Sequence, residues 1–296
     1  MLAVAVDLGK SRCRLLVNGG ADPIRLDAAG APGLAAADGV EAALVAILPL
    51  LARVAEPIES LGVGAAGAWS APAAAARLAG ALAERTRARV VVASDVVAAH
   101  AGAFAGAPGV LLIAGTGAAA LGVDDAGVRL VDGWGPELGD LGGGSWLGRE
   151  GIRAVLRAEA GLGAATVLAA SLRAHIAPAA DVHAWLATGG PVARRLATFA
   201  PAVLDAAAGS DPVAAGIAAE AVRLLTASAV AASRAAAGVV VHGGLTDHPW
   251  FRASLAAKLA VRGRTVAAAV GDALEGALLL AARTDLPHER HLHRAG

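Results

Sequence analysis

The chain has 296 residues, a formal net charge of zero and a sequence pI of about 7.1. This length fits one large or two ordinary domains with substantial buried cores. The only lysines are Lys10 and Lys258, and the lack of clustered cations argues against nucleic acid as the main partner. The single cysteine, Cys13, excludes an intramolecular disulfide, so a reducing cytoplasm is the simplest compartment.

One stretch without charged side chains, residues 96–123, is long enough to suggest a membrane span. We reject a span there because the stretch contains His100, Pro108 and many glycines. No basic residue precedes the first apolar run, and Asp7 interrupts that run, so we expect no signal peptide. The sequence therefore predicts a cytoplasmic protein that does not bind membranes.

The N-terminal segment is typical of two strands joined by a tight turn, with the apolar run 1–6 leading into the sequence DLGKS and a second run at 12–17. The turn offers Gly9, the cation of Lys10 and the hydroxyl of Ser11 close to the carboxylate of Asp7. These groups are the parts of a site for phosphate and Mg²⁺. An ordinary hairpin with a surface aspartate has the same pattern and remains an alternative.

A second carboxylate follows the strand predicted over 89–93. Asp95 stands between this strand and a helix predicted over 96–103, a place where α/β sheets bind ligands. Capping of that helix is the alternative role for Asp95. The elements predicted between the first turn and this strand are a loop over 21–32 with a third strand at 24–26, helices over 38–54 and 73–86, and a strand over 61–67.

The second half opens like the first, with an apolar strand over 110–114 that ends in a glycine-framed threonine. Backbone N–H groups and the hydroxyl of the turn Gly115, Thr116 and Gly117 can approach an anion closely. A strand over 128–131 follows, and then a glycine-rich loop that carries Asp140 and leads into a helix near Ser145. The duplicated opening predicts two domains of βββαβα type.

The remaining elements are mostly helices. We predict helices over 148–159, 164–177, 182–188, 192–208, 211–237, 250–259 and 272–283, and strands over 238–242 and 264–267. The last residues, 286–296, are predicted to be a frayed tail. Its three histidines could bind a metal, but no acid-plus-histidine spacing supports a site, and a tail without function is preferred.

Together these segments resemble the acetate/sugar kinase–Hsp70–actin superfamily, and within it the N-acetylglucosamine kinase and BadF/BadG/BcrA/BcrD-type ATPase family. The resemblance covers nearly the whole chain, and GWGPELGDLGGGSWLGREG at 133–151 is its most specific part. The other segments that carry it are DLGKS at 7–11, SD at 94–95, LLIAGTG at 111–117, VVVHGG at 239–244 and DALEGALLLA at 272–281.

The resemblance implies an α/β, two-lobed actin-like ATPase (ribonuclease H-like) fold, with duplicated domains around a central cleft. Residues 1–107 would form the N-terminal lobe and residues 108–271 the C-terminal lobe. The final helix and tail, residues 272–296, would pack back on the N-terminal lobe. A homodimer is a further expectation from the resemblance.

The resemblance also implies roles for the motif residues. Asp7 would lie near Mg²⁺, and Asp95 would be the general base that takes a proton from a sugar hydroxyl. Asp140 would hydrogen-bond the sugar, whose pocket wall would include Gly133, Trp134 and Gly135. The residues implied in ATP binding are Gly9, Lys10 and Ser11 (first phosphate motif), Gly115, Thr116 and Gly117 (second phosphate motif), and Gly243 and Gly244 (adenosine motif).

Several positions depart from the family pattern on the acceptor side. Ala118 and Ala119 stand where the family usually has Ser and often Asn, and Leu141 replaces a usual Glu. The only asparagine is Asn18, so the expected amide contacts to the sugar are missing. The single Cys13 argues against the dehydratase- and reductase-activating branch, which binds an iron–sulfur cluster through two cysteines per subunit.

The resemblance, together with these residues, implies an ATP- and Mg²⁺-dependent kinase of a small-molecule sugar. An amino sugar or related hexose is the expected acceptor, with N-acetylglucosamine or glucosamine first. A kinase of another small hydroxylated acceptor is one alternative. A non-catalytic sensor of nucleotide or sugar is another, and Asp95 argues against it because a sensor needs no general base.

Overall fold

The computed structural model describes residues 2–19, 23–177, 179 and 181–296. The start of the first predicted strand, residue 1, and the start of the predicted loop, residues 21 and 22, lie outside the described residues. The chain forms two compact units. Unit 1 comprises Met1–Pro108, Val123–Val128 and Ala268–Gly296, and unit 2 comprises Gly109–Gly122 and Arg129–Ala267.

The strands of the described chain are β1 (Leu2–Leu8), β2 (Arg12–Asn18), β3 (Ile24–Ala29), β4 (Ile58–Ala65), β5 (Arg89–Ser94), β6 (Gly109–Ala114), β7 (Ala118–Asp124), β8 (Gly127–Asp132), β9 (Gly238–His242), β10 (Thr265–Ala267) and β11 (His293–Ala295). The helices are α1 (Gly39–Leu51), α2 (Pro72–Thr86), α3 (Asp95–Ala103), α4 (Gly144–Glu159), α5 (Leu168–Ile176), α6 (Val182–Ala187), α7 (Val192–Ala197), α8 (Ala200–Ala208), α9 (Pro212–Ala232), α10 (Pro249–Val261) and α11 (Ala273–Ala282). Short 3₁₀ helices cover Gly244–Asp247 and Pro287–His291.

Unit 1 is built on a six-stranded sheet in the order β11-β5-β4-β1-β2-β3. Strands β1, β4 and β5 are parallel, whereas β2, β3 and β11 run antiparallel to their neighbours. Alternate residues of β1, from Leu2 to Leu8, pack with α1 and α2 in one apolar core, as the period-two alternation of a strand requires. Helices α3 and α11 contact each other, and α11 lies on β1 and β4.

Small residues let α3 and α11 approach the sheet and each other. A Cβ on Gly62 of β4 would lie 2.0 Å from the carbonyl oxygen of Ala277 in α11. A Cβ on Gly276 would lie 1.9 Å from the carbonyl oxygen of Ala98 in α3. Since no side chain fits at these distances, glycine is required at both crossings.

The end of the chain is ordered, so the predicted frayed tail is wrong. Strand β11 pairs with β5, with His293 opposite Val92 and Ala295 opposite Val90. His288 is fully buried and lies 3.0 Å from His100 of α3, measured from Nε2 to Nδ1. The C-terminal residues thus cover an edge of β5 that would otherwise be unpaired, and they contribute to a buried histidine pair. Apolar periodicity reveals neither contact.

Unit 2 has a five-stranded sheet in the order β10-β9-β6-β7-β8, with β10, β9 and β6 parallel. Its core joins β6 to α4, α8, α9 and α10, and the largest buried side chains include Phe199 and Phe251.

The single helix predicted over 192–208 is wrong in detail, because α7 ends at Ala197 and α8 begins at Ala200. Pro201 explains the break, since proline is tolerated in the first turn of a helix and not in its interior.

Among the described residues one helix, α9, is long and apolar enough to cross a membrane by length and composition. Eight of its residues are buried, and the helix packs against α8, α10 and β6 within unit 2. Its position in this core accounts for its apolar face.

Candidate active site

In unit 1 the ends of three parallel strands bring two predicted site residues to one edge of the sheet. The pairing sets Leu8 of β1 opposite Ala65 of β4, and Ala65 opposite Ser94 of β5. Asp7 is the penultimate residue of β1, and Asp95 follows β5 as the first residue of α3. The two carboxylates therefore lie at the carboxyl edge of the sheet, where α/β proteins bind ligands.

Gly64 lies between these carboxylates in the sheet, opposite Asp7 in the register. A Cβ at this position would be 2.8 Å from the Cβ of Ala98 and 3.6 Å from the Cα of Asp95. A side chain would therefore push α3 away from the sheet. The absence of one lets the start of α3, with Asp95, sit directly on β4.

Asp95 is not needed to cap α3. The N-cap residue is Ser94, whose hydroxyl oxygen accepts a hydrogen bond from the N–H of Val97 at 3.3 Å. The Oδ1 atom of Asp95 accepts a hydrogen bond from the adjacent N–H of Val96, at 2.9 Å. Capping therefore does not explain an aspartate at this position.

The carboxyl of Asp95 has a raised pKa. Burial is the largest cause and the negative charge of Asp7 adds to it, whereas the N–H of Val96 and the charge of Lys10 act in the opposite direction. Raised carboxyl pKa values at a strand edge are typical of groups that exchange protons. The structure thus brings Asp7, Lys10 and Asp95 into electrostatic contact within unit 1.

Asp7 lies inside β1 and not in the turn, and its cross-strand partner is Arg14 of β2. The Nε and Nη2 atoms of Arg14 donate to Oδ2 of Asp7 at 3.1 and 2.6 Å. Arg14 also approaches Asp272, the N-cap residue of α11, at 3.7 Å. The neighbouring Cys13 is fully buried, and burial together with the charges of Asp7 and Asp27 raises the pKa of its thiol to about 11, so this thiol is unreactive.

The donor set around Asp7 fits Mg²⁺ through one atom. Both Arg14 contacts use Oδ2, so Oδ1 is the oxygen that suits the metal or a water of its shell. Mg²⁺ in nucleotide sites is usually held by one or two carboxylates together with phosphates and water. The described residues contain no cluster of three His, Cys, Asp or Glu side chains that could hold a metal, including the C-terminal histidines.

The first glycine turn is shaped by backbone contacts and carries exposed polar side chains. The N–H of Gly9 donates to the carbonyl of Arg12 at 2.9 Å, and Lys10 and Ser11 are exposed. A Cβ on Gly30 would lie 2.3 Å from the carbonyl oxygen of Gly9. Gly30 thus supports the turn from the loop after β3, a role that the sequence pattern did not indicate.

In unit 2 the second glycine turn, Gly115–Gly117, joins β6 to β7 and rests on the start of α4. The N–H groups of Gly144 and Ser145 donate to the carbonyls of Gly115 and Thr116, both at 2.8 Å. Thr116 itself is exposed. The turn is therefore held by its carbonyl groups, while its threonine side chain faces solvent.

The predicted adenosine motif lies beside this turn. Gly243 follows β9 with a φ of +125°, and a Cβ there would be 2.5 Å from the carbonyl oxygen of Ala114 and 2.7 Å from the nitrogen of Gly115. Only glycine meets both conditions. Two predicted nucleotide motifs, far apart in sequence, are thus adjacent in unit 2.

The loop 133–141 is organised by a buried carboxylate that sequence analysis missed. Asp132, at the end of β8, is only 3% exposed. Its Oδ1 accepts from the N–H groups of Gly133 and Asp140, and its Oδ2 accepts from the N–H of Leu141, all at 2.8 Å. An acid at the end of a strand, the signal used for Asp95, could have identified it.

Two predicted acceptor residues belong to this loop. Asp140 is half-buried with a φ of +55°, and its carboxylate lies within 3.0 Å of where a Cβ on Gly117 would stand. Trp134 is 64% exposed and Gly133 is exposed, whereas Gly135 is half-buried. Asp140 is therefore placed against the second glycine turn, whereas Trp134 has no deep packing within unit 2.

The departures on the acceptor side also lie around this loop. The Cβ of Ala119 is 3.1 Å from where a Cβ on Gly133 would stand, so position 119 faces the loop with a methyl group and no amide. At position 141 the backbone N–H of Leu141 donates a hydrogen bond to Oδ2 of Asp132. In this part of unit 2, position 119 thus presents a methyl group to the loop and position 141 a backbone hydrogen bond.

Comparison with known proteins assigns the chain to a family. The model of the BadF/BadG/BcrA/BcrD ATPase family matches residues 30–281. The chain belongs to this ATPase family. The resemblance seen in the sequence is confirmed, and the predicted ATP-dependent enzyme agrees with membership of a family of ATPases. No curated protein matches the sequence.

Solved structures confirm the fold class of this family member. A candidate N-acetylglucosamine kinase from Chromobacterium violaceum is 24% identical, covers 95% of this chain and 98% of its own, and has a TM-score of 0.75. A second candidate N-acetylglucosamine kinase, from Porphyromonas gingivalis, is 19% identical, with 97% and 99% covered and a TM-score of 0.72. A ROK family glucokinase from Streptomyces griseus, in complex with glucose and AMPPNP, is 18% identical, with 95% and 99% covered and a TM-score of 0.52. At these identities the likeness shows a shared α/β fold.

Proposed function

We propose that this ATPase-family member is an ATP-dependent kinase of an amino sugar or related hexose, with N-acetylglucosamine or glucosamine as the first candidates. The observation that carries the proposal is Asp95: a partly buried carboxyl with a raised pKa, at the carboxyl edge of the sheet, that its helix does not need as a cap. The kinases that share the fold support the same reaction class.

In this proposal Asp95 accepts the proton of the acceptor hydroxyl as that oxygen forms its bond to the γ-phosphorus of ATP. The bond from the γ-phosphorus to the bridging oxygen breaks, and ADP leaves. General base catalysis of this kind contributes roughly 10²–10⁴-fold. Burial beside Asp7 favours the step, because a raised carboxyl pKa makes Asp95 a stronger base than a solvent-exposed aspartate.

The remaining work is positioning and charge neutralisation, which dominate phosphoryl transfer. Gly9, Lys10 and Ser11 of unit 1 and Gly115, Thr116 and Gly117 of unit 2 would bind the phosphates, and Gly243 and Gly244 the adenosine. Mg²⁺ would supply positive charge to the phosphates, with Oδ1 of Asp7 as its protein contact. Asp140, with Gly133, Trp134 and Gly135, would bind the sugar.

A different small hydroxylated acceptor is the second candidate. It is favoured by Ala119 and Leu141, which put apolar side chains where the family uses polar ones. A site without those hydrogen bonds loses the main means of selecting one sugar, because buried polar contacts carry most of that selectivity. A sensor without catalysis is disfavoured by the environment of Asp95.

We further propose that the protein is cytoplasmic and forms a homodimer. We also propose that its N-terminal lobe comprises residues 1–107 and its C-terminal lobe residues 108–271, with residues 272–296 packed back on the N-terminal lobe.

The test is ADP release from the purified full chain with ATP and Mg²⁺, against a panel of amino sugars, hexoses and small polyols. ATP binding is measured in parallel by calorimetry. Turnover stimulated by one sugar class supports the kinase and names its acceptor. ATP binding without stimulation by any member of the panel would reject the kinase and favour the sensor.

A further inference from the structure

We propose that Asp132 is the positioning residue that sets the loop 133–141 in the conformation that presents Asp140 and Trp134 to the acceptor. The proposal rests on the proposed function for the identity of the acceptor. Its structural basis is independent of that function and lies in three backbone hydrogen bonds to one buried carboxylate.

The three hydrogen bonds close the loop at both ends. Oδ1 of Asp132 receives the N–H of Gly133 at the start of the loop and the N–H of Asp140 near its end, and Oδ2 receives the N–H of Leu141. A carboxylate can accept from several donors at once, and hydrogen bonds to an ionised acceptor are stronger than neutral ones. The side chain of Asp132 thus links the two ends of the loop, as backbone hydrogen bonds between paired strands would.

The backbone of the loop is built closely around this carboxylate. Asp132 has a φ of +61° and Asp140 a φ of +55°, a region that non-glycine residues adopt infrequently. A Cβ on Gly139 would stand 2.4 Å from Oδ1 of Asp132 and 3.0 Å from the Cβ of Trp134. Gly139 therefore lets the loop fold over Asp132, and the position of Trp134 depends on that close contact.

Asp132 acts through the loop and not on the acceptor itself. It is 3% exposed and its oxygens point to backbone N–H groups. The residues that it places are Asp140, which lies against Gly117 of the second glycine turn, and the exposed Trp134. Loss of the carboxylate should therefore weaken acceptor binding while leaving the contact between Gly243 and the Gly115 backbone unchanged.

The chain offers a matched control in the same unit. Asp211 is 8% exposed and also accepts three hydrogen bonds, from the N–H groups of Ala214 and Val167 and the hydroxyl of Thr166. It caps α9 and is not part of the loop 133–141. Asp132→Asn and Asp211→Asn each place an amide group among hydrogen-bond donors. The two variants differ mainly in the segment that loses its hydrogen bonds, the loop 133–141 in the first and the start of α9 in the second.

The experiment measures acceptor KM, ATP KM and amide hydrogen exchange for the full chain and both variants. For Asp132→Asn we expect acceptor KM to rise about tenfold or more, ATP KM to change less than about twofold, and the amides of 133, 140 and 141 to exchange faster. Asp211→Asn should speed exchange at 167 and 214 and leave acceptor KM unchanged. Asp132→Gly, which suits the positive φ, repeats the test if the Asn variant folds poorly.

The outcomes separate this inference from the proposed function. Unchanged acceptor KM in an active Asp132→Asn protein, or an equal rise for Asp211→Asn, would overturn the positioning role. A wild-type chain without acceptor-stimulated turnover would reject the proposed function and with it the acceptor part of the inference. In that case unchanged exchange at 133, 140 and 141 in Asp132→Asn would also overturn the structural part.

Discussion

The two glycine turns of the chain are built by different means. In unit 1 the turn Gly9–Ser11 is bordered by side-chain charge, with Asp7 and Arg14 paired at 2.6 Å and an exposed Lys10. In unit 2 the turn Gly115–Gly117 is bordered by backbone, with the N–H groups of α4 on its carbonyls and Gly243 pressed against Ala114. Both turns are also closely packed by a glycine, Gly30 in unit 1 and Gly243 in unit 2, so what distinguishes the first turn is the charge pair that borders it.

This difference predicts which changes each unit tolerates. Charge is altered by pH, by salt and by isosteric substitution. The stability and activity of unit 1 should therefore change with each of these. Close approach is altered by a single methyl group, so both turns should respond to side-chain volume and only the first to charge. The predictions below test this division, beginning with the largest expected effect.

Asp95→Asn should lower acceptor-stimulated turnover by about 10²–10⁴-fold while ATP affinity changes little, because the amide keeps the shape of the side chain and cannot accept a proton. Turnover is measured by ADP release and affinity by calorimetry. Glu59→Gln, which alters a carboxylate of β4 paired with Arg89 at 3.0 Å, is the control and should retain full turnover. Full turnover in Asp95→Asn would remove the proposed base, and loss of ATP binding as well would make Asp95 a structural residue.

Gly243→Ala should lower the free energy of unfolding by about 3 kcal/mol or more and abolish ATP binding. The new methyl group would have to fit 2.5 Å from the oxygen of Ala114, and the positive φ adds its own cost. Gly127→Ala separates the two causes, since Gly127 has a φ of +110° and open space around it. That control should lose about 1–2 kcal/mol, from φ alone. Equal losses in urea unfolding would show that close approach adds nothing to the cost of the positive φ at Gly243.

Unit 1 should lose stability as the pH falls from about 6.5 to about 4. His288 is fully buried against His100, and burial, followed by the charges of His100 and His291, lowers the pKa of His288 to about 4. The unfolded chain, with an ordinary histidine pKa near 6.5, binds the proton first, so acid favours unfolding across this window. The contribution of His288 to the free energy of unfolding is complete above pH 6.5 and decreases by about 3 kcal/mol by pH 4.

Urea unfolding at pH 7, 6, 5 and 4 measures this slope. His288→Gln removes the titrating group and should flatten the profile, whereas His242→Gln, an exposed residue of β9, should not. A profile that stays steep in His288→Gln would assign the acid sensitivity to other groups. The contact between His100 and His288 also joins the C-terminal segment to α3, the helix that begins with Asp95.

The sequence was sufficient for features that a single local pattern encodes. It places Asp95 after a strand, because an acid follows a β-branched run, and Gly115–Gly117 in a turn, because glycines frame a hydroxyl at a strand end. Asp132 stands at the end of a strand, as Asp95 does, but its partners are backbone N–H groups up to nine residues away, so its role in the loop has no side-chain signature. The pairing of His100 with His288 spans 188 residues, and no periodicity reports such a contact.

Arg14→Met should have the smallest effect, a loss of about 1 kcal/mol in the free energy of unfolding that decreases with added salt. Arg14 and Asp7 are 33% and 18% exposed, so solvent screens the pair only in part, and removal of the guanidinium leaves Asp7 beside the carboxyl of Asp95. Arg223→Met is the control, because its partner Glu220 is at a similar distance, 2.7 Å, but both side chains are exposed on α9. We expect no measurable change there in urea unfolding at low and high salt. Equal, salt-independent losses in both variants would mean that the first glycine turn does not depend on charge, which would remove the contrast with unit 2.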